Sequence, residues 1–176
     1  MKKRIVGFAL FFITIFTSLH AQQTINQEKS VIDFQITGGG IFKVKGTFTG
    51  MQGDFNLNSN ALENANFDIC VDAASINTKN KKRDDHLRSS DFLDIEKFKN
   101  ICFVSSAVTK TENGFKTIGN LTIHGVTKIV EIPFTFTNNT FVGHLTVNRF
   151  DYNIGDDFST IRVGKEATVT ITCIIN

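Results

Sequence analysis

From Val31 onward, the chain alternates apolar and polar residues with a period of two. Ile32, Phe34 and Ile36 share one face of their segment, opposite Val31, Asp33 and Gln35. Phe42, Val44 and Phe48 oppose Lys43, Lys45 and Thr47, and Phe55 and Leu57 alternate with Asp54, Asn56 and Asn58. Between Ala65 and Ala73, Phe67, Ile69 and Val71 lie opposite Asn66, Asp68 and Asp72. This pattern predicts antiparallel strands with one buried and one wet face. It resumes at Ile101 and Phe103 and continues in runs at about 114–123, 126–137, 140–150 and 166–175. Gly38-Gly39-Gly40, Asn58-Ser59-Asn60, Glu112-Asn113-Gly114 and Asn138-Asn139 separate the runs as turns. Gly125 reads as a kink or bulge rather than a break, and Pro133, the only proline, as an edge or bulge residue. With no internal repeat or linker, residues 22–176 form one domain of eight or nine strands, either a closed barrel or a sandwich.

Aromatic usage bears on that choice. Fourteen of the 18 phenylalanines follow residue 21, beside one tyrosine and no tryptophan. Phenylalanines can line an apolar lumen because they bury area without needing a hydrogen bond. The candidate lumen residues are Phe34, Phe42, Val44, Phe48, Phe55, Phe67, Ile69 and Phe103. The alternative, rings that pack only on one another in a filled core, stays open at this point.

One segment breaks the period. Residues 79–99, KNKKRDDHLRSSDFLDIEKFK, form a dense charged run between strands. Leu87, Phe92, Ile95 and Phe98 are spaced so that short helical turns can press an apolar edge onto a barrel, with Asp91 and Asp94 starting a second turn. A structured insert of this length is more often functional than idle. Arg83, Asp84, His86, Arg88 and Asp91 read either as contacts to a ligand head group or as a clamp that fastens the insert to the rim. Arg149 and Asp151 carry the same two readings. His124, beside Gly125, reads as a hydrogen-bonded structural residue. The spacing of His86, His124 and His144 is not that of metal ligands, and no nucleophile elbow accompanies Ser75 or Ser89. No catalytic residue, metal or cofactor is assigned.

The chain begins with Lys2, Lys3 and Arg4, followed by an apolar run from Ile5 to Leu19 and the stretch Leu19-His20-Ala21. This is the layout of a secretory signal cleaved after Ala21, with a periplasmic or secreted product. No later run is long enough to span a bilayer as a helix. The full chain has 19 basic and 17 acidic residues; loss of the signal leaves 16 basic residues and a formal charge of −1. That balance gives no electrostatic footprint for nucleic acid. Cys70, Cys102 and Cys173 lack metal or redox spacing. They read as small apolar packers or, if a disulfide forms, as a Cys70–Cys102 bridge. Those two lie on equivalent faces of the strands flanking the insert.

Residues 74–106 resemble the signature of the YceI-like family. The pattern is met by Ser75, Ile76, Thr78, Arg83, Asp84, His86, Leu87, Arg88, Ser89, Asp91, Phe92, Lys97, Phe98, Phe103 and Ser105. Gly119–Lys128 is similar to the family's Gly-x-Leu-Thr-hydrophobic-His-Gly-Val-Thr-Lys element, Asn148–Tyr152 to its Asn-Arg-x-Asp-(Phe/Tyr) element, and Val44–Phe48 to its Val-x-Gly-x-Phe strand. Lys99 stands where the family usually has proline, and Gly38–Gly40 stand where it usually has a histidine. The resemblance spans about 30–175. It implies an extended, lipocalin-like antiparallel β-barrel of about eight strands with a short helical insert at about 79–99. It further implies an exported, non-enzymatic protein that holds a polyisoprenoid, an isoprenoid quinone or a fatty amide. The implied partner is thus an amphiphilic lipid, and a homodimer remains open. On export by a Gram-negative host, the intact mass is expected to match a chain starting at Gln22; retention of residues 1–21 would contradict the secretory reading.

Overall fold

The computed structural model describes residues 23–176; the expected signal segment and its cleavage after Ala21 lie outside them. Nine strands follow in order: β1 (Val31–Gly38), β2 (Phe42–Phe48), β3 (Gln52–Asn56), β4 (Asn66–Asp72), β5 (Asn100–Thr111), β6 (Gly114–Ile123), β7 (Val126–Thr137), β8 (Thr140–Asn148) and β9 (Val163–Ile174). One α-helix, α1 (Lys81–Arg88), interrupts them between β4 and β5. All nine strands form a single antiparallel sheet in the order β2-β1-β9-β8-β7-β6-β5-β4-β3, which curls around its apolar face. This is the barrel alternative, not the sandwich.

The ends of the sheet explain how the barrel closes. β2 and β3 are the two edges of the strand order, yet only Thr49, Gly50 and Met51 separate them in the chain. β2 pairs with β1 and β3 with β4, so the chain changes partners at this corner. Gly50 takes a φ of +72°, which a side chain disfavours, and Met51 is buried beside it. The edge of β2 is partly capped by the segment after β4, where Thr47 and Asn77 exchange two backbone hydrogen bonds of 3.0 Å and Thr49 N donates to Ser75 Oγ at 3.1 Å. A free edge offers unpaired N–H and C=O groups to other chains; here part of it is spent on the insert.

One turn expectation needs correction, and the proline expectation is met. His124 and Gly125 have φ values of +50° and +73° and form the two-residue turn between β6 and β7, so Gly125 is part of a true break. Positive φ at both central positions is the signature of the turn that matches strand twist. Pro133 lies inside β7, opposite Lys116 of β6, but the ladder from β7 to β8 begins only at Phe134. Its missing N–H therefore falls where β7 has no partner on that side, a local edge within the sheet. The insert also differs from two helical turns: α1 is capped by Asn80, whose side chain accepts from Arg83 N, and residues after Ser89 form tight turns around Asp94 (φ +45°) rather than a second helix.

Phe34 and Gly46 are directly opposed in register, and a Cβ on Gly46 would run into the Phe34 ring. A glycine here lets a large ring lie flat across the neighbouring strand. Cys70 and Cys102 are also cross-strand partners and form a disulfide that ties β4 to β5 at the base of the insert. Cys173 is free and buried, and burial pushes its thiol up to about 11 despite a hydrogen bond with Ser30. Denatured without reductant, the protein is expected to titrate one thiol; three would contradict the bridge. With the bridged positions 32 apart in sequence, reduction is expected to cost about 4 kcal/mol by the chain-entropy relation, measured as a shift in the denaturation midpoint.

Candidate functional site: an apolar cavity and its rim

The curled sheet leaves a cavity of about 720 Å³ open at one end, within the size range of ligand pockets. Its floor is aromatic. Phe55 stacks on Phe67 at 4.8 Å, Phe134 on Phe141 at 4.4 Å, and Phe67 meets both Phe134 and Phe141 edge-on at 5.8 Å. Above the floor, strand alternation carries Ile32, Phe34, Val44, Phe48, Ile69, Phe103 and Ile171 onto the wall. All eight residues selected from the sequence lie on the lining. They divide by depth: Phe55 and Phe67 are buried largely by other rings, whereas Phe42 stands at the open end with 68% of its surface exposed. Rings that pack on one another and rings that face a space are thus both present, at opposite ends of one cavity.

The open end is built from chain connections. The β1–β2 tip, the insert and the long segment between β8 and β9 all emerge there. The insert contributes Leu87, Phe92 and Leu93 to the wall, Ile76 just before it adds another residue, and the β8–β9 segment contributes Ile154 and Phe158. The two meet where Phe92 and Phe158 pack at 4.8 Å and the His86 ring lies edge-on to them at 5.0 and 5.5 Å. His86 Nε2 lies 2.9 Å from Asp91 Oδ2. Phe158 and Arg162 were missed from sequence. They sit in the aperiodic stretch between two strand patterns, and its unusual length for a connection was the available signal.

Three charged residues of the insert fasten it to backbone, and its charged groups also pair with one another, Lys81 and Arg88 with Asp85, His86 with Asp91 and Lys97 with Asp94. Arg88 donates from Nε to Ala74 O at 2.8 Å and from an Nη to Ile76 O at 2.6 Å. Arg83 donates to Thr78 Oγ1 at 2.7 Å and to Thr78 O at 3.0 Å. Buried Asp84 accepts from Thr78 N at 2.8 Å and from the Thr78 hydroxyl. Burial alone pushes the Asp84 carboxyl up; the Thr78 hydroxyl and N–H, with the charges of Arg88 and Arg83, outweigh it and hold the group below its ordinary value. These bonds hold residues 74–78, the segment that caps β2.

Arg149 is a second fastener. It is 4% exposed, and its five N–H groups meet the carbonyls of Gly164 (3.0 Å), Ile154 (2.8 Å), Val163 (3.3 Å), Gly155 and Phe158. With every donor used, it orders the β8–β9 segment and has none left for a ligand. Burial pushes its guanidinium down, opposed by the charge of Asp156. Asp151 accepts from Asn148 Nδ2 at 2.9 Å. His124 Nδ1 lies 3.1 Å from Tyr152 O, with its ring edge-on to Phe98 at 4.6 Å. Neither Asp151 nor His124 reaches the cavity wall.

The cations on the wall are arginines. Arg83, Arg149 and Arg162 line the cavity together with His86, and among the described residues no Asp or Glu does. Arg83 keeps N–H groups beyond its two bonds to Thr78. Arg162 makes no side-chain hydrogen bond or ion pair among the described residues and stands 6.0 Å from the Phe158 ring. Among the described residues, no group of three His, Cys, Asp or Glu side chains could hold a metal ion.

A curled antiparallel sheet with an apolar cavity and a basic rim defines the class: a β-barrel built around an interior pocket. The YceI-like domain model matches residues 23–174, and the chain belongs to that family. A UPF0312 protein of Vibrio vulnificus is 30% identical over 88% of this chain and 89% of its own length. A Pseudomonas fluorescens UPF0312 protein is 34% identical over 71% of each. Among solved structures, Burkholderia cenocepacia BcnA superposes with a TM-score of 0.77 at 23% identity, covering 86% of this chain and 99% of BcnA. A polyisoprenoid binding domain from Saccharophagus degradans superposes at 0.67 with 13% identity, covering 88% and 98%.

The Asp84 contacts set a pH dependence. A carboxyl whose folded value is depressed contributes stability that is complete above its unfolded value, about 3.9, and is lost as pH falls through the folded value. Asp84→Asn is expected to cost about 1–3 kcal/mol at pH 7, with the gap to the unaltered protein narrowing below about pH 4 in urea titrations. A gap constant from pH 7 to pH 3 would contradict the assignment.

Proposed function

We propose that the protein is an exported binding protein that holds a long-chain amphiphile in the barrel cavity, for carriage, storage or sequestration. The candidates are polyisoprenoids, isoprenoid quinones and fatty amides. The observation that carries this reading is the cavity itself: apolar from the aromatic floor upward, with its ionisable rim groups gathered at the open end. The polyisoprenoid binding domain of the same fold supports the ligand class. The reading assigns no catalytic step.

The division of labour follows from magnitudes. Each CH₂ taken from water contributes about 0.8 kcal/mol, so a chain of several isoprene units binds tightly even after losing its freedom of motion. Arg83 and Arg162, the rim cations with donors to spare, choose the head group by offering N–H groups to a phosphate or carbonyl oxygen. Arg88, Arg149, Asp84, Asp91, Asp151 and His124 serve the fold.

Titration with a quinone, a prenyl phosphate and a fatty amide of similar length tests this. Phe48→Asn is expected to weaken all three about equally, by tenfold or more. Arg162→Ala, and Arg83→Ala where circular dichroism shows an intact fold, are expected to weaken the prenyl phosphate most. Unchanged binding in Phe48→Asn would remove that residue from the pocket, and equal loss of all three ligands in Arg162→Ala would refute head-group selection.

A further inference from the structure

Of the exposed large apolar side chains among the described residues, Ile129 (76%) and Val104 (41%) lie out on β7 and β5, and the other three gather in one place. Ile41 (78%), Phe42 (68%) and Ile161 (74%) all lie at the open end, on two adjacent tips. The tips are joined: Gly39 N donates to Arg162 O at 3.0 Å, Gly38 pairs with Val163, and a Cβ added to Gly40 would touch Ile161 at 3.9 Å. Ile41 and Ile161 lie outside the cavity lining, so their exposure is not explained by the pocket. Phe42 is both exposed and on the lining, which makes the outer patch continuous with the inner wall. The charged side chains in residues 38–43 and 159–163 are Lys43 and Arg162, both basic. Two exposed acidic residues, Asp156 and Asp157, precede this tip, and Asp156 lies close enough to the buried Arg149 guanidinium to bear on its charge.

We propose that these two tips are a membrane-docking surface: Ile41, Phe42 and Ile161 enter the interfacial layer of an anionic bilayer while Lys43 and Arg162 meet its phosphates. This deepens the binding-protein reading and rests on it. A long-chain amphiphile has negligible free concentration in water and resides in a bilayer. A mouth that buries its apolar rim in the interface gives the chain a path from lipid to lumen without crossing water. Apolar insertion together with a few basic contacts is the physical recipe for reversible interfacial binding.

Ile41 and Ile161 lie outside the cavity, so docking and ligand binding can be tested separately. The mature chain is mixed with vesicles of phosphatidylcholine and phosphatidylglycerol at 7:3 and with pure phosphatidylcholine vesicles, and bound protein is measured by flotation. The probe is a dansyl-labelled C20 isoprenoid, presented either in detergent or in the vesicles. The doubly substituted protein, Ile41→Asp with Ile161→Asp, is expected to bind the detergent-borne probe as the unaltered chain does. It should lose vesicle partitioning at least tenfold and extract the probe from vesicles correspondingly slowly. Ile129→Asp, which alters an equally exposed isoleucine on β7 (76%), is expected to change none of these. Partitioning unchanged in the double variant, or lost equally in Ile129→Asp, would overturn the proposal. So would sedimentation showing a dimer that the double variant dissociates, because the patch would then join two copies of the chain. Failure of the unaltered protein to bind the probe even in detergent would instead overturn the binding-protein reading beneath it.

Discussion

The structure depends on how one sheet deals with its two edges. A nine-stranded antiparallel sheet that curls without a continuous β2–β3 ladder leaves two rows of unpaired backbone groups. Here the edges are joined by one bent stretch of chain and patched by residues 74–78, which pair with the end of β2. That patch is too short to hold itself. Arg88, Arg83 and Asp84 of α1 hold it through the Ala74 and Ile76 carbonyls and through Thr78. The charged run that looks out of place in a β-rich chain thus completes the wall. Because these groups are partly or fully buried and bonded to backbone, each bond is worth more than an exposed ion pair of the kind Lys81 makes with Asp85.

The same solution appears across the mouth. Arg149 gathers the carbonyls of five residues between Ile154 and Gly164, replacing the ladder that an irregular segment lacks. Its delocalised fork suits this role better than a lysine ammonium would. The two fastened segments then touch through Phe92, Phe158 and His86. The rim is therefore a set of irregular loops given fixed positions by the half-buried Arg88 and the buried Arg149, above a wall set by strand pairing. Stability resides in those arginines and in the aromatic floor, which leaves Arg83, Arg162 and the apolar tips available at the opening.

Much of this was legible in the sequence. Alternation located the strands and, with it, the inward faces. Phe34, Val44, Phe48, Ile69 and Phe103 could be placed on one surface because a pleated strand turns every second side chain the same way. The spacing of turn residues fixed where most hairpins reverse, and Asn138-Asn139 forms one of them. The motif around residues 74–106 was recognisable as a unit. Gly125 was misread, while Pro133 does sit at an edge, and in both cases the outcome depends on what lies beside the residue. Glycine after histidine is equally compatible with a bulge or a tight turn, and proline in a strand is tolerated wherever the neighbouring ladder has ended.

What the sequence determined by itself was therefore periodic and local: strand positions, the side of each strand that faces the core, and the presence of a folded, charged insert. Tertiary structure decided the rest. Whether an arginine meets a ligand or a carbonyl depends on which loops converge on it, and Arg83, Arg88 and Arg149 look alike along the chain while having spare donors, none in the cavity, and none at all, respectively. The depth of each phenylalanine was likewise hidden, since alternation gives the face of a strand but not its height in the barrel. Phe158 and Arg162 belong to a segment without a period, and residues 74–78 reach β2 only because the barrel brings them there. Periodicity carries no information about such contacts, which arise when distant segments close on one another.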